Sequence, residues 1–381
     1  MNYKKHFSIL NYILYLAVSC LFLFIIIDKI SIAFLRRNHF IAEKSFSITD
    51  LRKQHPYIMF KGAPGAKSYP KIFKKTGITE TFLNKTGYPG EAPVMPKPAD
   101  EFRVIVLGGS TVFIGNPEIP RLIQYQYEKK GCQTVKVYNF GVISSVSSME
   151  LARLVFEALD YNPDMVIFYN GFNDMDHPFA ADPRPGYPYN YFIYESNPIL
   201  DNDVKKYPGI PLAMYSSNIL RYFFPDYFLK SFYNLDDLRT RAGYLSQNWK
   251  EKIAEIYVTN LIKSQKISRA FGAEFIAFFQ PSLYVKKIVT EKEQSFIDPA
   301  KMAGVNMIRS EILKRAETAR REEGLNFIDL SGVFNEIPDT VYEDRVHILQ
   351  QYQPLIAATI FEHLNNFLKN TINLNVSSCF N

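Results

Sequence analysis

Two apolar patterns alternate along residues 101–370. One is the short unbroken run: RVIVLGG from Arg103, TVKVYNFG at 134–141, DMVIFYNG at 164–171, EFIAFFQP at 274–281 and LNFIDL at 325–330. The other places apolar residues every third or fourth position, over 117–130, 148–160, 246–270, 301–322 and 353–368. Unbroken runs predict strands buried on both faces, and the longer periodic stretches predict the helices that cover them. Strict alternation of the two predicts a doubly wound parallel α/β sheet. Three regions break the rhythm. Residues 38–100 carry turn signals such as GAPGA at 62–66 and GYPGEAPVMPKPAD at 87–100, and read as an irregular leading segment. Residues 177–245 are rich in Pro and Tyr and read as an insertion, and 371–381 as a tail.

The N-terminus has a pattern of its own. Ser8 to Ile27 carries no charge, with Lys4 and Lys5 before it and Lys29, Arg36 and Arg37 after it. About 20 apolar residues at helical rise cross a hydrocarbon core. The run exceeds the apolar region of a typical signal peptide, and no small-x-small cleavage site follows it. Residues 1–37 are therefore expected to anchor the chain in a membrane through residues 8–27. Both flanks are basic, so charge alone does not orient the span.

Composition narrows the picture further. The chain has 381 residues, 47% hydrophobic and 22% charged, with a formal net charge of +6. That balance suits a folded body. It has no Lys/Arg stripe to track a phosphate backbone, so no nucleic-acid partner is expected. The 25 Tyr and 31 Phe residues supply core and groove-lining rings alike. Cys20, Cys132 and Cys379 are odd in number and far apart, which predicts neither a disulfide framework nor a metal site.

In a sheet of this kind, ligands bind beyond the carboxyl ends of the strands. Three strand ends carry polar or glycine-rich tips: GGST at 108–111, NFG at 139–141 and NGFND at 170–174. Late in the chain, YEDRVH places Asp344 and His347 three residues apart. Ser110 has two readings. It is a cap for the following helix, or a nucleophile lifted by the glycine turn. The second needs a base and an orienting acid, roles open to His347 and Asp344. It also needs donors for an oxyanion, open to the Ser110 N–H, the Gly141 N–H and the Asn173 amide. Singly, each part has a plain alternative: a cap, a strand-end turn, a surface pair. A G-x-S-x-G elbow is absent, because Thr111 and Val112 follow Ser110, and the adjacent D-x-x-H also departs from an α/β-hydrolase. GGSTVFIG matches neither dinucleotide-binding nor P-loop glycine spacing.

Taken together, these blocks resemble the SGNH (GDSL-like) hydrolase family, in its membrane-anchored bacterial form. Ser110 in VLGGST, Gly141 in YNFG, Asn173 in NGFND, and Asp344 and His347 in DRVH stand for its four blocks, in order, over roughly residues 100–370. The resemblance implies a flavodoxin-like sheet and a serine esterase or acyltransferase with no metal or organic cofactor. It implies catalytic Ser110, His347 and Asp344, with Ser110, Gly141 and Asn173 as the oxyanion hole. It also implies acyl groups, acetyl above all, on cell-envelope polysaccharide as substrate, envelope-polysaccharide assembly proteins as partners, and a body on the periplasmic side. Two positions depart from the pattern: Gly109 replaces the aspartate of G-D-S, and Gln353 stands near the place of a glycine after His347. A lipid or lysophospholipid esterase is the alternative substrate reading. A non-catalytic, membrane-anchored glycan-binding or scaffold module is the alternative of another class.

Overall fold

The computed structural model describes residues 3–37, 52–55, 57–68, 81–189, 191 and 235–371. Most of the expected insertion (192–234) and nearly all of the expected tail (372–381) lie outside the described residues. Contacts divide the chain into two units, 1–47 with 192–237 and 48–191 with 238–381. In the first, α1 (Tyr3–Arg37) contains a stretch, Asn11–Ile30, of mean hydropathy 2.3. It is long and apolar enough to cross a membrane, and begins three residues after the run read from the sequence.

The second unit opens with two small antiparallel pairs where an irregular segment was expected: β1 (Arg52–His55) with β2 (Met59–Gly62), and β3 (Lys67–Ser68) with β4 (Thr81–Phe82). Strands this short and polar carry no legible period. The main sheet begins at β5 (Phe102–Gly108), followed by α2 (Ser110–Phe113), α3 (Ile119–Lys129) and β6 (Val135–Gly141). Next come α4 (Ser147–Arg153), which runs on into a π turn over Leu154–Ala158, then β7 (Met165–Asn170) and α5 (Phe172–Ala180). The remainder is α6 (Leu235–Ala242), α7 (Gln247–Ala270), β8 (Glu274–Phe279), α8 (Glu291–Gln294), α9 (Pro299–Glu322), β9 (Phe327–Asp329) and α10 (Gln353–Thr371).

The five strands β5–β9 are all parallel, in the order β6-β5-β7-β8-β9. Renumbered from the first, that order is 2-1-3-4-5, the flavodoxin-like arrangement, whose switch point lies between β5 and β7. Every residue of β5 and β7 is buried. Ile105, Leu107, Val166, Phe168, Phe275 and Ala277 face one core with Met149 of α4, Tyr257 of α7 and Ile308 of α9. Val104, Val106, Met165, Ile167, Ile276 and Phe278 face the other, with Ile123 of α3 and Ile360 of α10. An alternation of two apolar faces explains why the runs read as unbroken. Cys132 is buried in the second core.

Candidate active site

Two neighbouring strands deliver two of the expected parts. β5 ends at Gly108, Gly109 caps α2 without a side-chain bond, and Ser110 is the first helical residue. The capping reading of Ser110 therefore fails, and its hydroxyl is committed elsewhere. β7 ends at Asn170, and Asn173 lies in the first turn of α5. Gly109 has a steric reason. A Cβ there would stand 2.6 Å from Asn173 Nδ2. The bare Cα leaves room for the amide beside the nucleophile, where the family pattern has an aspartate.

Asp344 and His347 come from a tight loop outside the sheet. The Glu343 N–H donates to the His347 carbonyl at 2.9 Å and the Leu349 N–H to that of Val341 at 2.8 Å. Asp344 Oδ1 accepts the N–H groups of Val346 and His347, each at 2.8 Å, which shapes the loop from inside. The loop is anchored at its base by Glu293, whose Oε1 accepts from the N–H groups of Val341 and Tyr342 at 2.9 and 3.1 Å. Buried Lys286 donates to Glu293 Oε2 at 2.7 Å. After His347, Gln350 ties the chain to the segment behind α2. Its Oε1 accepts from the Asn116 N–H at 3.0 Å and its Nε2 donates to the Pro117 carbonyl at 3.0 Å. Gln353, near the place of the pattern's glycine, donates from Nε2 to the Ile114 carbonyl at 3.4 Å.

The loop brings His347 Nε2 to 2.7 Å from Ser110 Oγ and His347 Nδ1 to 2.6 Å from Asp344 Oδ2. Burial pushes the Asp344 carboxyl up. The bond and charge of His347 and the two backbone donors outweigh it, bringing the group down to about 2. Asp344 is then a carboxylate that can only accept, so Nδ1 carries the imidazole proton and Nε2 is left to accept from the serine hydroxyl. The chain has a flavodoxin-like sheet, and Ser110, His347 and Asp344 form one hydrogen-bonded chain beyond its strand ends.

No protein-family model and no curated protein matches the chain. Solved structures do. An acetyl xylan esterase, AlAXEase, is 13% identical, with 68% of this chain and 98% of that one covered and a TM-score of 0.40. The psychrotrophic esterase EstA from Pseudoalteromonas sp. is 14% identical, with 71% and 100% covered and a TM-score of 0.38. A GDSL-like lipase from Parabacteroides merdae is 13% identical, with 69% and 95% covered and a TM-score of 0.39.

Ser110, Asn173, Asp344 and His347 line one cavity of about 420 Å³, together with Ile114, Ile143, Ser144, Phe172, His177 and Tyr189. Its wall also carries Asp176, Glu343 and Arg345, and Arg345 Nη1 donates to Asp176 Oδ1 at 3.0 Å. Gly141 is not brought to this wall. Its N–H donates to Asn139 Oδ1 at 2.8 Å, and a Cβ on it would lie 2.6 Å from the Phe113 nitrogen. Gly141 is a glycine because α2 crosses the end of β6, and its N–H is consumed by a side chain of its own strand. The oxyanion role expected of it fails on that geometry. Ser144, three residues on, lines the cavity with φ of 62°. A left-handed residue other than glycine is uncommon and collects at functional sites. The signal for it was the run of small hydroxyl residues, Ser144, Ser145, Ser147 and Ser148, at a strand's carboxyl end.

Proposed function

We propose that this protein is a serine esterase or O-acyltransferase that works through an acyl-serine. The observation that carries the reading is the continuous chain Ser110 Oγ, His347 Nε2, His347 Nδ1, Asp344 Oδ2, with contacts of 2.7 and 2.6 Å at the mouth of one cavity. His347 takes the hydroxyl proton as Ser110 attacks an ester carbonyl. Asp344 holds the imidazole in its tautomer and stabilises the imidazolium that forms. The Ser110 N–H, the Ser144 backbone and the Asn173 amide face the oxyanion. The tetrahedral adduct collapses, His347 returns its proton to the leaving alcohol, and the acyl group remains on Ser110. Water or a second hydroxyl, deprotonated by His347, then releases it.

The cavity favours a short acyl group on a hydroxyl-rich carrier over a long lipid chain. Asp176, Glu343 and Arg345 put charge on the wall, while Tyr189 offers a ring face suited to a sugar. An acetylated polysaccharide of the cell envelope is the substrate class that fits, and envelope-polysaccharide assembly proteins are the corresponding partners. The body is then placed on the periplasmic side, where cell-envelope polysaccharide is met. Protease added to spheroplasts should digest the body, and full protection would reverse that orientation.

The direct test of the chemistry is fluorophosphonate labelling of the detergent-solubilised chain, with mass spectrometry of the modified peptide. Label on Ser110 that is lost in His347→Ala, together with loss of ester turnover in a folded Ser110→Ala protein, is expected. Folded protein that takes no label would leave a binding module in place of an enzyme.

A further inference from the structure

Behind the cavity wall lies a set of buried polar groups that the acyl-transfer steps do not use. Arg153, at the end of α4, has no exposed surface. Its Nη1 donates to the Phe140 carbonyl at 2.9 Å, and its Nη2 to the Gly108 carbonyl at 3.2 Å and to Ser145 Oγ at 2.9 Å. One guanidinium therefore ties together the end of β5, the end of β6 and the loop that carries Ser144. Asp174 holds the far end of the same loop. Its two carboxylate oxygens accept the Ser147 N–H at 3.1 Å each, and Oδ1 accepts the Ser147 hydroxyl at 2.5 Å. Asn260 Nδ2 donates to the hydroxyls of Ser147 and Ser148 at 3.0 and 3.1 Å. Between the two holds, Asn173 Nδ2 donates to the Ser145 carbonyl at 2.7 Å. Glu150, also fully buried, accepts from Asn170 at the end of β7.

Such an arrangement is costly unless it does something. A buried guanidinium and two buried carboxylates each need charge-assisted partners, and apolar packing would cover the same volume at less risk. What these groups share is the loop 144–148. Two of them grip it directly, and the third grips the strand end just before Asn173. The backbone departs from regular helix immediately after Arg153, in the π turn, a feature that often accompanies functional sites.

We infer that Arg153 and Asp174 are positioning residues for the proposed esterase: they clamp the loop 144–148, and with it Ser144 and the Asn173 amide, at the spacing the oxyanion requires. The inference rests on the esterase reading, and its consequence is a proton-sensitive site. Burial, and then the charge of Glu150, push Asp174 up to about 7, against the bonds from Ser147. Glu150 of α4 and Tyr257 of α7 are the titratable groups facing it. A protonated Asp174 loses acceptor capacity towards the Ser147 N–H and hydroxyl together, and the loop loosens. Acid loss of activity then includes the proton taken up by Asp174.

The experiment uses the full chain in detergent with 4-nitrophenyl acetate. In wild type, log(kcat/KM) should bend downwards near pH 7, and Asp174→Asn should abolish that inflection. A wild-type profile with no inflection near pH 7 overturns the inference even if the variant does not fold. Arg153→Lys, which keeps the charge but loses the fork, should lower kcat about tenfold or more with KM within about twofold, since removing an oxyanion donor outright costs about 10²–10³. Unchanged kcat in folded Arg153→Lys also overturns it. A wild-type chain that neither turns over ester nor takes label on Ser110 defeats the esterase reading itself, a result separable from a clamp that fails in an active enzyme.

Discussion

Gly109→Ala puts the oxyanion side of the site under direct test. Gly109 has φ −86° and ψ −150°, an extended backbone with negative φ, so alanine meets no left-handed strain there. The added methyl would stand 2.6 Å from Asn173 Nδ2, with the Ser145 carbonyl at 3.6 Å. An ordinary contact needs roughly 3.4 Å or more, so the amide must retreat by about 0.8 Å. The retreating atom is a side-chain tip, and stability should change by under about 1 kcal/mol. Function should change far more. A displacement near 1 Å costs on the order of 10²-fold when it misplaces a catalytic group. The expected outcome is a kcat for 4-nitrophenyl acetate lowered about 10- to 100-fold, with KM within about twofold and the thermal midpoint within a few degrees. Stopped-assay kinetics beside near-UV circular dichroism melts would read all three. A variant with wild-type kcat would show that Asn173 gives nothing to the transition state, and a variant that unfolds would show that the turn cannot yield at the side chain.

Two further outcomes concern the loop that carries the acid and base. Lys286→Met leaves Glu293 buried without its cation beneath Val341 and Tyr342, and should cost about 3–5 kcal/mol in thermal unfolding; a shift indistinguishable from zero would mean that the pair is hydrated. Asp344 is held at about 2, below its ordinary 3.8, so its contribution is complete above pH ~4 and disappears as pH falls towards 2. The full shift corresponds to about 2.4 kcal/mol, and half exposure of the side chain discounts it to about 1 kcal/mol. The stability gap between wild type and Asp344→Asn should close across that window, and a gap constant from pH 6 to pH 2 would contradict the pairing with His347.

The sheet was legible because its strands are buried on both faces. Runs such as VIVL and MVIF have no other stable place, and their spacing left room for one covering helix each. Ser110, Asn173, Asp344 and His347 were legible for a different reason: reacting groups must be of a few chemical types and must sit at strand ends. Gly141 misled because glycine answers to two demands, close approach of substrate and close approach of backbone. Only the position of α2 across β6 shows that the second applies. The clamp of Arg153 and Asp174 was illegible, since an arginine ending an amphipathic helix reads as a solvated residue until its burial is seen. The two N-terminal strand pairs left no period to read.

The distance along the chain between nucleophile and base has a consequence for how the protein is made. Ser110 and Asn173 follow the ends of adjacent strands and come together once the first half of the sheet forms, whereas His347 follows Ser110 by 237 residues. At a synthesis rate of about 5–20 residues per second, the nascent chain carries its serine for roughly 10–50 s before the histidine exists. During that interval the hydroxyl has no base and is inert towards the esters around it. On the proposed chemistry, reactivity switches on only when the 341–348 loop docks, which would make activity a report of completed folding: a truncated or half-folded copy would be silent rather than promiscuous.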